Sequence, residues 1–170
     1  MHPLLGKLRG GDLRSIGRSE EVAAEVLAKP TLFAVLMDGI VSDDALIRMR
    51  AADAAEKVTA RHPEWLVPYK DKLLSEIAAI PQQEVRWHAA MMFTRITWTE
   101  AERKQAVSIL KSWLDDKSRI VQVFSLQALA DLTKQDTSLK PEVIASIKRK
   151  MKNGPPSIQS RGRKLLRQLS

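Results

Sequence analysis

The chain contains no cysteine. A disulfide framework, a thiolate nucleophile and a cysteine-ligated metal site are therefore excluded. Histidine is scarce: His2, His62 and His88 are the only three, and they fall on different segments. No H-E-x-x-H pair, glycine-rich phosphate loop, G-x-S-x-G elbow or pair of metal-binding carboxylates is present. No apolar run approaches the roughly 18 residues needed to span a bilayer. The opening stretch MHPLLGK lacks the apolar core of a signal peptide. These absences lead to the expectation of a soluble cytoplasmic protein with no catalytic residues, no cofactor and no metal.

What remains is an ordinary globular composition. The chain has 170 residues and is 44% hydrophobic, enough for one domain with a core. Its net charge of +8 is unevenly placed. Ten Lys/Arg and two acids (Asp136 and Glu142) lie in residues 134–170, and the other residues hold 18 basic and 18 acidic groups. This is a neutral body with a basic C-terminal end.

Internal repetition organises the chain. The stretch VRWHAAMMFTRI, from Val85, aligns with IRMRAADAAEKV from Ile47 and VQVFSLQALADL from Val121. It aligns more loosely with IQSRGRKLLRQL from Ile158. The fifth column is always small: Ala51, Ala89, Ser125 and Gly162. Apolar or small residues at the first, fifth, eighth, ninth and twelfth places share one helical face. Seventeen residues upstream stand Pro30, Pro68, Lys104 and Pro141. Proline suits the first turn of a helix, where its missing N–H is not needed. Each unit is thus expected to open with a helix A near that column and to continue through a polar turn into a helix B. The third unit lacks the proline but has Thr99 and Glu102 at capping-box spacing, so its helix A is expected to start earlier. The turns are Ser42–Asp44, Pro81–Gln83, Asp115–Ser118 and Asn153–Pro156. First columns are separated by 38, 36 and 37 residues, which two helices and two turns consume.

The pattern resembles the HEAT-repeat family: paired antiparallel helices, an Asp-bearing turn, and a Val-Arg-x-x-Ala opening on helix B. That opening reads IRMRA at 47–51 and VRWHA at 85–89, and weakens to VQVFS at 121–125 and IQSRG at 158–162. The resemblance implies an all-α, right-handed α-α superhelix, a solenoid of about four helical hairpins. The expected organisation is an N-terminal capping half-unit over 1–29, with EEVAAEVL as its helix, and a single repeat domain over 30–170. The repeats within it cover about 30–67, 68–103, 104–140 and 141–170.

Arg86-Trp87-His88 is on this reading a copy of a structural repeat, not a catalytic trio. Arg86 repeats Arg48, and both are expected to meet turn acids or neighbouring turns. His88 stands in the column of Arg50, Phe124 and Arg161. Trp113 is expected in the core and Trp65 in a connection. In a HEAT-like stack, helix B lines the concave side. The second, third, sixth, seventh and tenth columns would then face away from the core. Arg86, Trp87, Met91, Val123 and Leu126 would form a groove for a protein or peptide. The competing reading packs these residues between adjacent B helices.

The basic end also has two readings: a solvated cap, or an anion surface formed by Lys148, Arg149, Lys150, Lys152, Arg161, Arg163, Lys164 and Arg167. The second would contact nucleic-acid phosphates without base stacking, since the segment has no aromatic residue. A HEAT-like DNA glycosylase or lyase is the remaining alternative, without a motif match. The expected function is a non-enzymatic scaffold for a protein or peptide, with a monomer as the default state.

Overall fold

The computed structural model describes residues 1–170, whose regular structure is all helical with no strand. Two compact units divide the chain: Met1–Ile96 and Thr97–Ser170.

The first unit holds α1 (Pro3–Gly6), α2 (Ser19–Ala28), α3 (Phe33–Gly39), α4 (Ala45–Arg61), α5 (Lys70–Lys72) and α6 (Gln83–Phe93). The stretch EEVAAEVL lies within α2. A 3₁₀ turn at Pro30–Leu32 leads into α3, so Pro30 opens its helix as its column requires. Asp44 caps α4, its Oδ1 accepting from the backbone N–H of Leu46 at 2.8 Å and of Ile47 at 3.4 Å. Pro68 behaves differently. It sits inside a 3₁₀ segment, Pro63–Tyr69, and the helix that follows runs α-helical only over α5 before becoming a π turn at Leu73–Ile77. The expected helix A at 68 is therefore irregular. The interval that contains it is the longest of the three, and a π turn absorbs an extra residue without ending the helix.

Helix α4 packs against α2, α3 and α6. A helix covered on so many sides must be narrow, which explains its run of alanines. Ala51, Ala52, Ala54 and Ala55 are all fully buried. Gly39 of α3 lies against this surface. A Cβ there would stand 3.0 Å from the Ala51 Cβ and 2.7 Å from Leu5 Cδ2. A larger residue on either side would push the helices apart.

The second unit holds α7 (Glu100–Trp113), α8 (Arg119–Leu132), α9 (Lys140–Met151) and α10 (Pro156–Leu169). Helix α7 starts at the expected capping box. Thr99 Oγ1 accepts from the Glu102 N–H at 3.3 Å, and Glu102 Oε2 accepts from the Thr99 N–H at 2.8 Å. Ser118 Oγ caps α8 by accepting from the Val121 N–H. Pro141 lies in the first turn of α9. Helix α8 packs on α7, α9 and α10, and α9 packs on α10. The fifth-column residue of α10, Gly162, faces Met151 of α9, whose Sδ would lie 2.3 Å from an added Cβ. Trp113 is buried in this unit's core, as expected, with 3% of its surface exposed.

Ser125 shows the same constraint with a flaw. It is fully buried, and its Oγ has no hydrogen-bond partner. Ser125→Ala keeps the small column residue and removes an unsatisfied hydroxyl. The thermal midpoint is expected to stay level or rise by about 2–4 °C, corresponding to about 1 kcal/mol. Ala89→Leu, at the equivalent buried place in α6, overpacks the contact and is expected to cost about 1–3 kcal/mol in chemical denaturation.

Candidate functional site

The B-helix surface is built from residues that the core columns leave over. In α6, Val85, Ala89, Ala90, Met92 and Phe93 are fully buried. Arg86, Trp87 and Met91 are half-buried. Met91 follows Trp87 by four residues, so the two side chains share a helical face. The Trp87 indole N–H donates to His88 Nε2 at 3.3 Å, and the two rings are tilted at 40° with centroids 5.3 Å apart. With its polar edge occupied, the indole offers its apolar body to the outside.

His88 is buried, with 7% exposure. Its Nδ1 lies 2.5 Å from the Glu84 carbonyl oxygen, which can only accept, so Nδ1 carries the proton. Its Nε2 is 3.3 Å from Asp53 Oδ1 as well as from Trp87 Nε1. A neutral ring accepts from Trp87 there, and a protonated ring donates to Asp53. Asp53, on α4, is 9% exposed. Its Oδ2 accepts from Ser19 Oγ at 2.5 Å and from Lys57 Nζ at 2.7 Å. Burial works against its charge. Hydrogen bonds from His88, Lys57 and Ser19 outweigh burial and hold the carboxyl well below the usual carboxylate range. A carboxylate held that low is a poor general base at neutral pH. The cluster's role is to tie α2, α4 and α6 together.

The second-column residues have one role in all four pairs. Arg48 Nη1 donates to the carbonyl oxygens of Ser42 at 2.8 Å and Asp43 at 3.1 Å, while its Nε reaches Gln82 Oε1 at 2.8 Å. Arg86 Nε donates to Ile80 O at 3.2 Å. Gln122 Nε2 donates to Asp116 O at 2.5 Å, and Gln159 Nε2 to Met151 O at 2.8 Å. Each long polar side chain folds back and satisfies carbonyls at the end of its own helix A. In these bonds the acceptors are backbone carbonyls and an amide, where turn acids were one expected partner of the arginines.

Two fourth-column residues reach the preceding repeat within their own unit. His88 meets Asp53 of the seventh column, and Arg161 Nη1 donates to Gln127 Oε1 of the seventh column at 2.8 Å. Arg50 turns on the N-terminal segment instead. It is 2% exposed and donates to four carbonyls, those of Leu8, Gly10, Asp12 and Ser15, at 2.6–3.2 Å. Gly17 has φ +55°, and a Cβ there would lie 2.9 Å from the guanidinium carbon of Arg50. Glycine is required there by both backbone and space. Sequence reading missed Asp53 because it falls in the seventh column, expected to face solvent, and missed Arg50 because the fourth column was assigned to neither face. The signal was the pairing of complementary polar residues in columns four and seven.

The sixth column corrects the expected groove. Ala52, Ala90 and Leu126 are all fully buried. Leu126 therefore belongs to the interior, not to a binding surface. In the third column Met49 is buried, whereas Trp87 and Val123 are half-buried. Trp98 is buried at 2% exposure, and Trp65 stacks on His62 at 4.4 Å and also contacts Phe33.

Of the basic residues at the C-terminal end, Lys148, Arg149, Lys152, Arg163, Lys164 and Arg167 are exposed, and Lys150 and Arg161 are half-buried. Arg149 lies 3.7 Å from Asp115. No group of His, Asp and Glu residues is arranged to hold a metal ion. No helix is long and apolar enough to cross a membrane.

No protein-family model matches the chain, and no curated protein matches it. Solved structures do. A structure of computationally designed armadillo repeat proteins for modular peptide recognition matches with a TM-score of 0.70 at 16% identity, covering 99% of this chain and 81% of that one. A designed armadillo repeat protein in complex with the peptide (KR)4 matches with a TM-score of 0.68 at 14% identity, covering 99% and 81%. An engineered protein from a structural genomics consortium matches with a TM-score of 0.68 at 18% identity, covering 98% and 79%. The likeness is one of fold. The chain is an all-α helical-repeat solenoid of the armadillo-like kind.

The buried carboxylate gives the site a pH signature. The folded-state value of Asp53 lies below its unfolded value, so its stabilising contribution is complete above the ordinary carboxylate range and is lost as pH falls below it. Asp53→Ala is expected to cost about 1–3 kcal/mol at pH 7 by stranding Ser19, Lys57 and His88. It should also flatten the acid limb of stability in urea titrations from pH 7 to 3. Arg50→Ala is expected to free the segment 7–18, read as fast amide exchange and early proteolysis there with α7–α10 unaffected.

Proposed function

We propose that the chain is a non-enzymatic, HEAT-like repeat scaffold that binds a protein or peptide on its B-helix surface, with Trp87 as the anchor. The observation that carries this is the half-buried state of Trp87 on a helix whose other faces are packed. Its N–H lies 3.3 Å from His88 Nε2 and donates there when the ring is neutral, so contact with a partner then costs no polar desolvation. Met91 on the same face adds an adaptable apolar contact, and Arg86 is held beside them by Ile80 O. Val123 lies on α8 in the other unit and Leu126 is buried, so neither is counted in this anchor. The peptide recognition named for the designed armadillo repeat proteins of the same fold supports a peptide ligand here.

The test is a random-peptide display selection against the immobilised chain, followed by calorimetric titration of the selected peptides. Trp87→Ala is expected to weaken binding about 30-fold, the effect of losing a 2 kcal/mol hot spot, with the thermal midpoint within about 3 °C of the wild type. Unchanged affinity, or a chain that melts far below wild type because Trp87 is needed for packing, overturns the proposal.

A further inference from the structure

The last helical pair carries a charge that the fold does not use. From Lys140 to Ser170 there are nine Lys/Arg and one acid, Glu142. That acid is taken by Lys111 of α7, at 3.1 Å. Cations on the B helices of the first unit are tied down: Arg48 and Arg50 by carbonyls, Lys57 by Asp53, and Arg86 by Ile80 O. On α9 and α10, Lys148, Lys150, Lys152, Arg163, Lys164 and Arg167 have neither an acid nor a carbonyl partner. Elsewhere unpaired cations are sparse, as at Arg9, Lys29 and Arg61 and the pair Lys117 and Arg119. Here they are grouped.

Their placement follows from the packing of the two helices. On α10, Ile158, Gly162, Leu165 and Leu169 are buried. The opposite stripe is Ser160, Arg163, Lys164 and Arg167, all exposed. On α9, Val143, Ser146 and Ile147 are buried, leaving Lys148, Arg149 and Lys152 outside. Where α9 turns into α10, Arg149, Lys150, Lys152 and Asn153 line an open hollow of about 310 Å³. Like charges gathered on one helical pair repel one another, against the modest gain of placing Lys148, Lys150 and Arg167 in last helical turns.

We infer that the α9–α10 pair is a binding surface for the phosphate backbone of nucleic acid, recognised without regard to base sequence. The other anionic partners fit the surface less well. A membrane-surface helix needs apolar side chains to bury among the lipids. The apolar face of α10 is turned inward, and none of the large exposed hydrophobic residues lies between 140 and 170. An acidic protein partner needs a desolvated apolar or aromatic anchor for affinity, and this segment has no aromatic residue. Phosphate backbone needs neither: its affinity comes from cations that displace condensed counterions. The lack of aromatic residues also favours a duplex over single strands, whose binding relies on stacking. This surface is independent of the one around Trp87.

The test is fluorescence anisotropy with labelled duplex DNA, duplex RNA and a single strand, from about 50 to 200 mM salt. The wild-type chain is expected to bind the duplexes and to lose affinity about 1000-fold over that range, as for about six phosphate contacts. Arg163→Glu/Lys164→Glu/Arg167→Glu and the neutral triple Gln variant should both weaken binding, and the Gln variant should lower the salt slope by about 2.7 for its three lost contacts. Lys148→Gln/Lys152→Gln should weaken it too. All five positions are exposed, so thermal midpoints should not move. Anionic phospholipid vesicles and polyglutamate serve as the competing arms. The inference is overturned by no duplex binding at 50 mM salt, by binding that all these variants retain, or by tighter association with vesicles or polyglutamate than with duplex.

Discussion

Close approach of the two helices in each pair is the constraint from which the rest of the structure follows. It requires a small residue at one place on every helix B: Ala51, Ala89, Ser125 and Gly162, all buried. In the first pair the contact is so tight that α3 also needs a glycine, Gly39, opposite Ala51. In the last pair Gly162 makes room for the thioether of Met151. Backbones this close bring apolar neighbours such as Ile47, Val58, Leu129 and Leu165 into full contact on either side. No pair can bury that face alone, so stacking of pairs is the way such chains become stable.

Helices held so near expose a second problem, the unpaired carbonyls at the end of each helix A. The second column solves it in the same way four times, with arginine in two units and glutamine in two. The change from arginine to glutamine leaves the bond in place, because the acceptor is a neutral carbonyl and charge is not what the site demands. The apparent weakening of the VRxxA opening along the chain is therefore a change of donor and not a loss of function. The fourth and seventh columns add bonds between successive B helices. Asp53 shows how much such a bond can rest on one residue: its carboxylate accepts from Ser19 of α2 and Lys57 of α4, and His88 Nε2 of α6 stands 3.3 Å from it. In the first pair Arg50 uses the same position to hold main-chain carbonyls of an irregular segment.

Two surfaces remain once these demands are met. Around Trp87 and Met91 apolar area is left over. On α9 and α10 charge is left over. The contrast has a common origin: both are columns that neither the pair contact nor the carbonyl bonds require, and their composition is free to answer to something outside the chain. The fold is shared with proteins designed to recognise peptides, but a helical solenoid serves many partners, so the chemistry of these leftover residues is what separates one role from another.

Most of the architecture was written in the sequence. Column periodicity is a local property: it sets which face of a helix is apolar, where proline and capping residues start helices, and where small residues permit contact. Pro30, Pro141 and the Thr99–Glu102 box act where their positions imply. Pro68 does not, because a π turn downstream reshapes its helix, and that depends on how an extra residue is absorbed by packing. The outward-facing columns were the least legible. Ala52, Ala90 and Leu126 look solvent-facing on a single helix, yet each is fully buried. A helix wheel describes one helix, whereas burial in a stack is decided by the neighbours on both sides. For the same reason Asp53, in a column expected to face solvent, looked like a surface residue until tertiary structure brought Ser19, 34 residues away, to its carboxylate, and the role of Arg50 emerged only with the carbonyl of Leu8, 42 residues away. Sequence alone determined the repeat and the helices, since these follow from spacing along one chain. Only the tertiary structure decided which polar residues are structural and which are left free, since that is settled by what lies across from them.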